Sequence, residues 1–136
     1  MVDVLTKEQR SFNMSRIRGK DTRPEMVVRS MIHRMGFRYR LHQKNLPGKP
    51  DIVLTRHRKI IMVHGCFWHM HNCRYGRVVP KTNAKFWQEK RLATVARDKH
   101  NLRQLRKDGW EVLTIWECQI KKQGKLIDKI ASFLED

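Results

Sequence analysis

The sequence predicts an α/β fold, a mixed sheet covered by helices, on three observations. Two short apolar runs, Ile52-Val53-Leu54 and Ile60-Ile61-Met62-Val63, are separated by the basic turn Thr55 to Lys59. A third strand-like run, Trp110 to Trp116, lies between segments of helical period. In those segments apolar residues recur three and four apart, which marks one face of a helix. Short strands flanked by such segments bury their apolar faces by stacking helices on a sheet.

Taken in order, residues 5–18 read as a short helix carrying Phe12, Met14 and Ile17 among basic residues, broken by Gly19-Lys20. Thr22-Arg23-Pro24-Glu25 is a helix start, with Thr22 as N-cap, proline in the first turn and Glu25 in the capping-box position. The helix it opens carries Met26, Val27, Ser30, Met31 and Met35 at helical spacing and ends at Gly36. Phe37 to Leu41 alternates apolar and basic residues as a strand does, and Leu46-Pro47-Gly48-Lys49-Pro50 is a rigid loop. The runs 52–54 and 60–63 make a hairpin across the basic turn. Residues 64–85 have no period and are dense in His, Cys and aromatics, and an irregular segment of that length inside a small domain is usually functional. Phe86 to Lys107 is helical again, with Leu92, Val95, Ala96, Leu102 and Leu105 on one face, and Asp108-Gly109 closes it. After the strand 110–116, Leu126, Ile127, Ile130, Phe133 and Leu134 form a last amphipathic helix. The order is α-β-β-β-loop-α-β-α, with no repeat or linker, so residues 1–136 read as one domain.

The 136 residues carry 30 Lys+Arg against 13 Asp+Glu, a net charge of +17. The excess is spread along a periodic chain and points to a polyanion, nucleic acid above a membrane headgroup. No apolar run is long enough to cross a membrane, and Met1 to Arg10 lacks the apolar core of a signal peptide. The expected location is the cytoplasm. Three cysteines without an export signal argue against a disulfide framework.

Asp51 follows Pro50 and opens an apolar strand, where a carboxylate can hold the divalent cation that phosphodiester hydrolysis needs. A solvated turn aspartate is the plainer alternative. The next strand ends at His64 and delivers Cys66, Phe67, Trp68, His69, His71 and Cys73 within ten residues. Cys66-x4-His71-x-Cys73 has ligand types suited to tetrahedral zinc, with Cys118 as the remaining cysteine for a fourth position. His64 or His69 can stand in for His71 in that set, and buried thiols packing as small hydrophobes are the alternative to a metal. Histidines beside a metal-held phosphate suit a general base or a donor to developing charge. Phe67, Trp68, Phe86 and Trp87 are either wedges that unstack bases or plugs of a local core. Glu25 is accounted for by its helix start, and Asp98, between Arg97 and Lys99, by a solvated helix face.

At this point the chain resembles the very-short-patch mismatch repair endonucleases, the Vsr family. The resemblance runs from about Arg10 to the last helix. It rests on Arg10-Ser11-x-Asn13-Met14, Asp21-Thr22-x-x-Glu25, Leu46-Pro47-Gly48-x-Pro50-Asp51, His64-Gly65-Cys66-Phe67-Trp68-His69-x-His71-x-Cys73 and Gly109-Trp110-x-Val112-Leu113-x-x-Trp116-Glu117-Cys118. It implies a restriction-endonuclease-like core that nicks double-stranded DNA on the 5′ side of the T in a T:G mismatch. It implies magnesium held by Asp51 and the backbone carbonyl of Val63, His69 as general base, His64 assisting at the phosphate, and Glu25 and Asp98 as acidic residues of the outer site. Cys66, His71, Cys73 and Cys118 match four zinc ligands. Phe67, Trp68 and Trp87 match intercalating aromatics, and Met14, on an N-terminal DNA-contacting helix within residues 1–18, matches a residue that reaches the minor groove. Mismatch-repair proteins are the partners such an enzyme implies. The chain departs from the pattern at position 63, Val in place of Thr, which spares a carbonyl ligand but not a hydroxyl. It also has Val63-His64 where the wider restriction-enzyme fold carries a lysine. The competing readings are a zinc-stabilised DNA-binding module without catalysis and a nuclease of the same fold with another substrate.

Overall fold

The structure is a computed structural model that describes residues 21–135. The helix expected over 5–18, and Met14 with it, lie outside the described residues. Along the chain come α1 (Arg23–Arg34), β1 (Arg40–Leu41), β2 (Ile52–Leu54), β3 (Lys59–His64), α2 (Ala84–Lys107), β4 (Glu111–Trp116) and α3 (Gln123–Glu135). The four strands lie in the order β1-β2-β3-β4, with β1/β2 and β2/β3 antiparallel and β3/β4 parallel. The mixed sheet expected from the sequence is therefore present. The parallel pair needs a long crossover, and the 65–83 loop followed by α2 supplies it.

Each face of the sheet is covered. Ile52, Leu54, Ile61 and Ile115 meet Val28, Met31 and Ile32 of α1 and Leu126, Ile130 and Leu134 of α3. On the opposite face Val53, Ile60 and Met62 meet Leu105 of α2 and Trp110. The register Ile52↔Ile61 and Val53↔Ile60 puts like-facing residues side by side. Covering on both faces explains why β2 and β3 read as unbroken apolar runs, where a one-sided strand would alternate.

α1 begins as expected: the Thr22 Oγ1 accepts from the Glu25 N–H at 3.4 Å, with Pro24 in the first turn. The Glu25 side chain does not complete a capping box. It turns away toward His42 and Arg29. At the other end, Gly36 has φ +88°, its N–H donates to His33 O, and the Phe37 N–H donates to Ile32 O. That is a Schellman closure, which a Cβ at this φ would strain. Met26 and Ser30 point outward, and Val28 and Ile32 take the buried face. We expect Thr22→Ala to cost about 1 kcal/mol of stability, read from the denaturant midpoint at unchanged slope.

Three other expectations are corrected. The strand over 37–41 is only Arg40–Leu41. Lys59 belongs to β3 and not to the turn; it is buried, and its Nζ donates to Phe133 O at 2.5 Å and lies 3.6 Å from Glu111 Oε2. On α2, Leu92 is 49% exposed and Ala96 is exposed, so the face expected from apolar spacing is buried only at Leu105, with Val95 and Leu102 half-buried. Only the C-terminal part of α2 reaches the core through Leu105; the N-terminal half instead seats Arg91 under the 65–78 loop. Among the described residues, no helix is long and apolar enough to cross a membrane.

Candidate active site and metal centre

Antiparallel pairing brings the start of β2 next to the end of β3. Asp51, just before β2, accepts the Val63 N–H on Oδ2 at 2.8 Å, and its own carbonyl accepts the His42 N–H at 3.1 Å. Burial raises the Asp51 carboxyl to about 6, the Val63 N–H opposes this, nearby Glu25 pushes further up, and His42 and His69 pull down. This is not the solvated turn aspartate that Pro-Gly loops often carry.

Glu25 is only 1% exposed. Each of its carboxylate oxygens lies 3.0 Å from His42 Nε2, and Oε2 is 3.3 Å from Arg29 Nη1. The same Arg29 nitrogen donates to Asp21 Oδ1 at 2.8 Å. Helix α1 thus lends one buried carboxylate to the Asp51 side of the sheet. Asp21, Glu25 and His42 converge closely enough to hold a cation. His42 and Arg29 were not visible as site residues in the sequence, because neither lies in a spacing pattern and they meet Glu25 only through the fold.

At the end of β3, His64 stacks on His69 with ring centroids 3.8 Å apart and planes 4° from parallel. His69 Nδ1 lies 2.5 Å from Asp98 Oδ2 on α2. Asp98 is therefore a histidine partner and not a bare solvated face. Burial, and then the neighbouring His69, lower His64 to about 4, with Asp98 opposing. His64 is neutral across the physiological range. With Nδ1–H directed at Asp98, the free nitrogen of His69 is Nε2, a basic site oriented by a carboxylate.

A second centre lies beside the first. The parallel register pairs His64 with Trp116, so continuing two residues along each chain sets Cys66 beside Cys118. The Cys118 N–H donates to Cys66 Sγ at 3.3 Å. His71 Nδ1 lies 3.8 Å from Cys66 Sγ and 3.5 Å from Cys118 Sγ, and its ring stacks on Trp116 at 4.2 Å. Cys73 completes the group, all four ligand atoms falling within 4.8 Å of one another. Burial pushes the Cys66 thiol up to about 12. Burial would raise Cys73 as well, but the Gly76 N–H and His71 hold it down to about 6. The four residues could hold a metal ion. His71, and neither His64 nor His69, is the histidine that faces the thiols.

Phe67, Trp68 and Trp87 are half-buried and belong to neither core cluster. They pack edge to face, Trp68–Trp87 at 5.4 Å, Phe67–Trp68 at 5.6 Å and Phe67–Trp87 at 5.9 Å. Phe86, 56% exposed, extends the group, and Lys90 Nζ sits 5.4 Å over Trp68. The aromatics stand apart from both clusters of the sheet core.

A half-buried carboxylate, a carboxylate-oriented histidine and partly exposed aromatics, on a chain of net charge +17, are compatible with an enzyme that cuts DNA. The family described as DNA mismatch endonuclease Vsr matches residues 2–75. The type II nicking enzyme V.XorIIP of Xanthomonas oryzae pv. oryzae is 43% identical over 135 residues, covering 99% of this chain and 98% of that protein. The DNA mismatch endonuclease Vsr of Escherichia coli (strain K12) is 41% identical over 129 residues, 95% of this chain and 82% of that protein. The type II nicking enzyme V.NmeAIP of Neisseria meningitidis is 43% identical over 124 residues, 91% and 88% of the two chains. The chain belongs to the Vsr family of DNA mismatch endonucleases. A DNA-binding module without catalysis is thereby set aside.

Proposed function

We propose that this enzyme nicks one strand of double-stranded DNA on the 5′ side of the T in a T:G mismatch, by magnesium-dependent hydrolysis on a restriction-endonuclease-like core. The observation that carries the hydrolytic reading is that Asp51 and the His64–His69–Asp98 stack converge where β2 starts and β3 ends. Asp51 and the Val63 carbonyl would hold magnesium. In an antiparallel strand a residue's N–H and C=O leave from the same edge, so the Val63 N–H bonded to Asp51 sets the Val63 carbonyl beside that carboxylate. A hard, oxygen-only pair, half-buried between two strand ends, fits that ion. Magnesium, when bound, would polarise the phosphoryl oxygen and neutralise developing charge.

The remaining roles fall to side chains. His69, with Nδ1 bonded to Asp98, takes the proton of the attacking water on Nε2. His64, held neutral, donates an N–H to the phosphate. Glu25, fixed by His42 and Arg29, orients water at the outer edge. Phe67, Trp68 and Trp87 enter the base stack, and a mismatch lowers the cost of that unstacking. Zinc is the ion for the Cys66-His71-Cys73-Cys118 group. A tetrahedral site with Zn–S near 2.3 Å and Zn–N near 2.0 Å has ligand-to-ligand edges of about 3.5–3.8 Å, and the His71–Cys118 and His71–Cys66 distances are 3.5 and 3.8 Å.

The test is a strand-labelled T:G duplex beside its T:A counterpart, with magnesium. Nicking of the T-bearing strand alone is expected. Equal cutting of the matched duplex would replace the mismatch reading by a same-fold nuclease of other specificity. A pH series adds a second check. Because Asp51 titrates near 6, protons compete with the cation below that value. The magnesium concentration for half-maximal rate should rise roughly tenfold per pH unit below 6 and level off above it. A flat dependence between pH 5 and 7 removes Asp51 as the ligand.

A further inference from the structure

Arg91 is the one arginine of α2 that is buried, at 3% exposure. Among the described residues its hydrogen-bond partners are all backbone carbonyls: Nε donates to Phe67 O at 2.7 Å, Nη1 to Val78 O at 2.8 Å and Nη2 to Gly76 O at 2.5 Å. Its Cζ also lies 4.2 Å over the Phe67 ring. One planar cation therefore grips the residue before Trp68, the chain leaving the Cys73 turn, and the helix that carries Trp87. Taking a guanidinium out of water is costly unless several charge-assisted bonds replace its hydration, and here three do. Among the described residues, none of these bonds reaches Asp51, His64, His69 or Asp98. What it does fix is where the Phe67 ring stands relative to Trp68 and Trp87.

From this geometry we infer that Arg91 is the positioning residue of the aromatic wedge. It holds Phe67 by backbone and ring together, so that the three aromatics are set before DNA arrives. A wedge that must be ordered on binding spends part of its interaction energy on that ordering, and a preset one does not. Lysine cannot substitute, because a point ammonium has no fork to bridge carbonyls on two chain segments while standing over a ring. The inference rests on the wedge reading of Phe67, Trp68 and Trp87.

The experiment is a double-mutant cycle of Arg91→Lys and Phe67→Ala on the whole enzyme. It reads the ratio of Kd for T:A over T:G duplexes by competition titration without magnesium, with zinc content and Tm measured alongside. Arg91→Lys is expected to lower the ratio about tenfold in the wild-type background and less than twofold in the Phe67→Ala background. Arg91→Met should do the same more strongly. If it does not fold, Arg91→Lys decides. Equal losses in both backgrounds, or weaker binding of both duplexes with the ratio unmoved, would overturn the inference and leave Arg91 a structural clamp. If Phe67→Ala itself leaves the ratio unchanged, the wedge reading fails and takes the inference with it.

Discussion

Asp51→Asn is expected to lose nicking by at least about a thousandfold in kcat while binding the T:G duplex within about threefold of wild type. The asymmetry follows from where the carboxylate stands. It is half-buried where β2 starts and β3 ends, bonded to the Val63 N–H, and stands apart from the aromatic group of Phe67, Trp68 and Trp87. Asparagine keeps an oxygen for Val63 and removes the charge that would hold a cation. The same change should not weaken the fold. Burial holds the Asp51 carboxyl at about 6, above its ordinary value of 3.8. A raised acid favours the folded state fully below the unfolded value, and that contribution is lost as pH rises through about 6. At pH 8 without added magnesium, Asp51→Asn should therefore melt at or above the wild-type Tm. A variant that is inactive because it has unfolded would show the opposite. His69→Ala should also abolish most of the rate while sparing DNA binding, but without the gain in Tm. Single-turnover nicking, titration of labelled duplex and a melting scan over pH 4 to 8 separate these outcomes. Retention of even a tenth of the wild-type rate by Asp51→Asn would remove it from the hydrolytic site.

Cys66→Ala is expected to unfold the chain outright. Structural zinc contributes on the order of 10 kcal/mol or more to folding, against a total stability of about 5–15 kcal/mol for a domain. Cys66 is fully buried and adjoins the Cys118 N–H and His71 Nδ1, so alanine removes both a proposed zinc ligand and the acceptor for that N–H. The centre also joins the loop after β3 to the turn after β4, and it lies against Trp116, which contacts His64 edge-on at 5.4 Å. Losing it disorders the segment that carries His69 and the aromatics together. Metal analysis of wild type should return one zinc per chain, and chelation should abolish the near-UV circular dichroism in one transition. A protein that folds with no bound metal would end the four-ligand assignment. His69→Ala serves as the control: it should keep its zinc, since His69 bonds Asp98 and not a thiol.

Much of this was legible in the chain because it is written in local patterns. The Thr22-x-Pro24-Glu25 start, the Gly36 and Gly109 stops and the apolar runs 52–54 and 60–63 each depend on a few neighbouring residues. Backbone hydrogen bonding and steric limits act at that range. The 64–85 segment, dense in His, Cys and aromatics, stood out by composition alone as an irregular loop. What remained unreadable lies in pairs far apart in sequence. Glu25 was explained by its cap until His42 and Arg29 took its carboxylate. Asp98 looked solvated until the crossover of α2 laid it on His69. Leu92 kept helical spacing, yet it is exposed because the N-terminal half of the helix covers a loop through Arg91 and not the sheet.

By itself, the sequence determined the charge that calls for a polyanion, the strand and helix order, and the residue types from which a metal-assisted nuclease can be built. Only the tertiary structure decided which histidine faces the thiols and which faces a carboxylate. The parallel register of β3 on β4 sets Cys66 against Cys118 and leaves His71 facing both. The antiparallel register of β2 on β3 sets Asp51 against Val63, at the edge where His64 and His69 stack. His64, His69 and His71 are chemically identical and within eight positions of one another, so no spacing rule can divide them. Hydrogen-bond partners and metal ligands are assigned by distances of a few ångströms, and those distances exist only once the strands have paired.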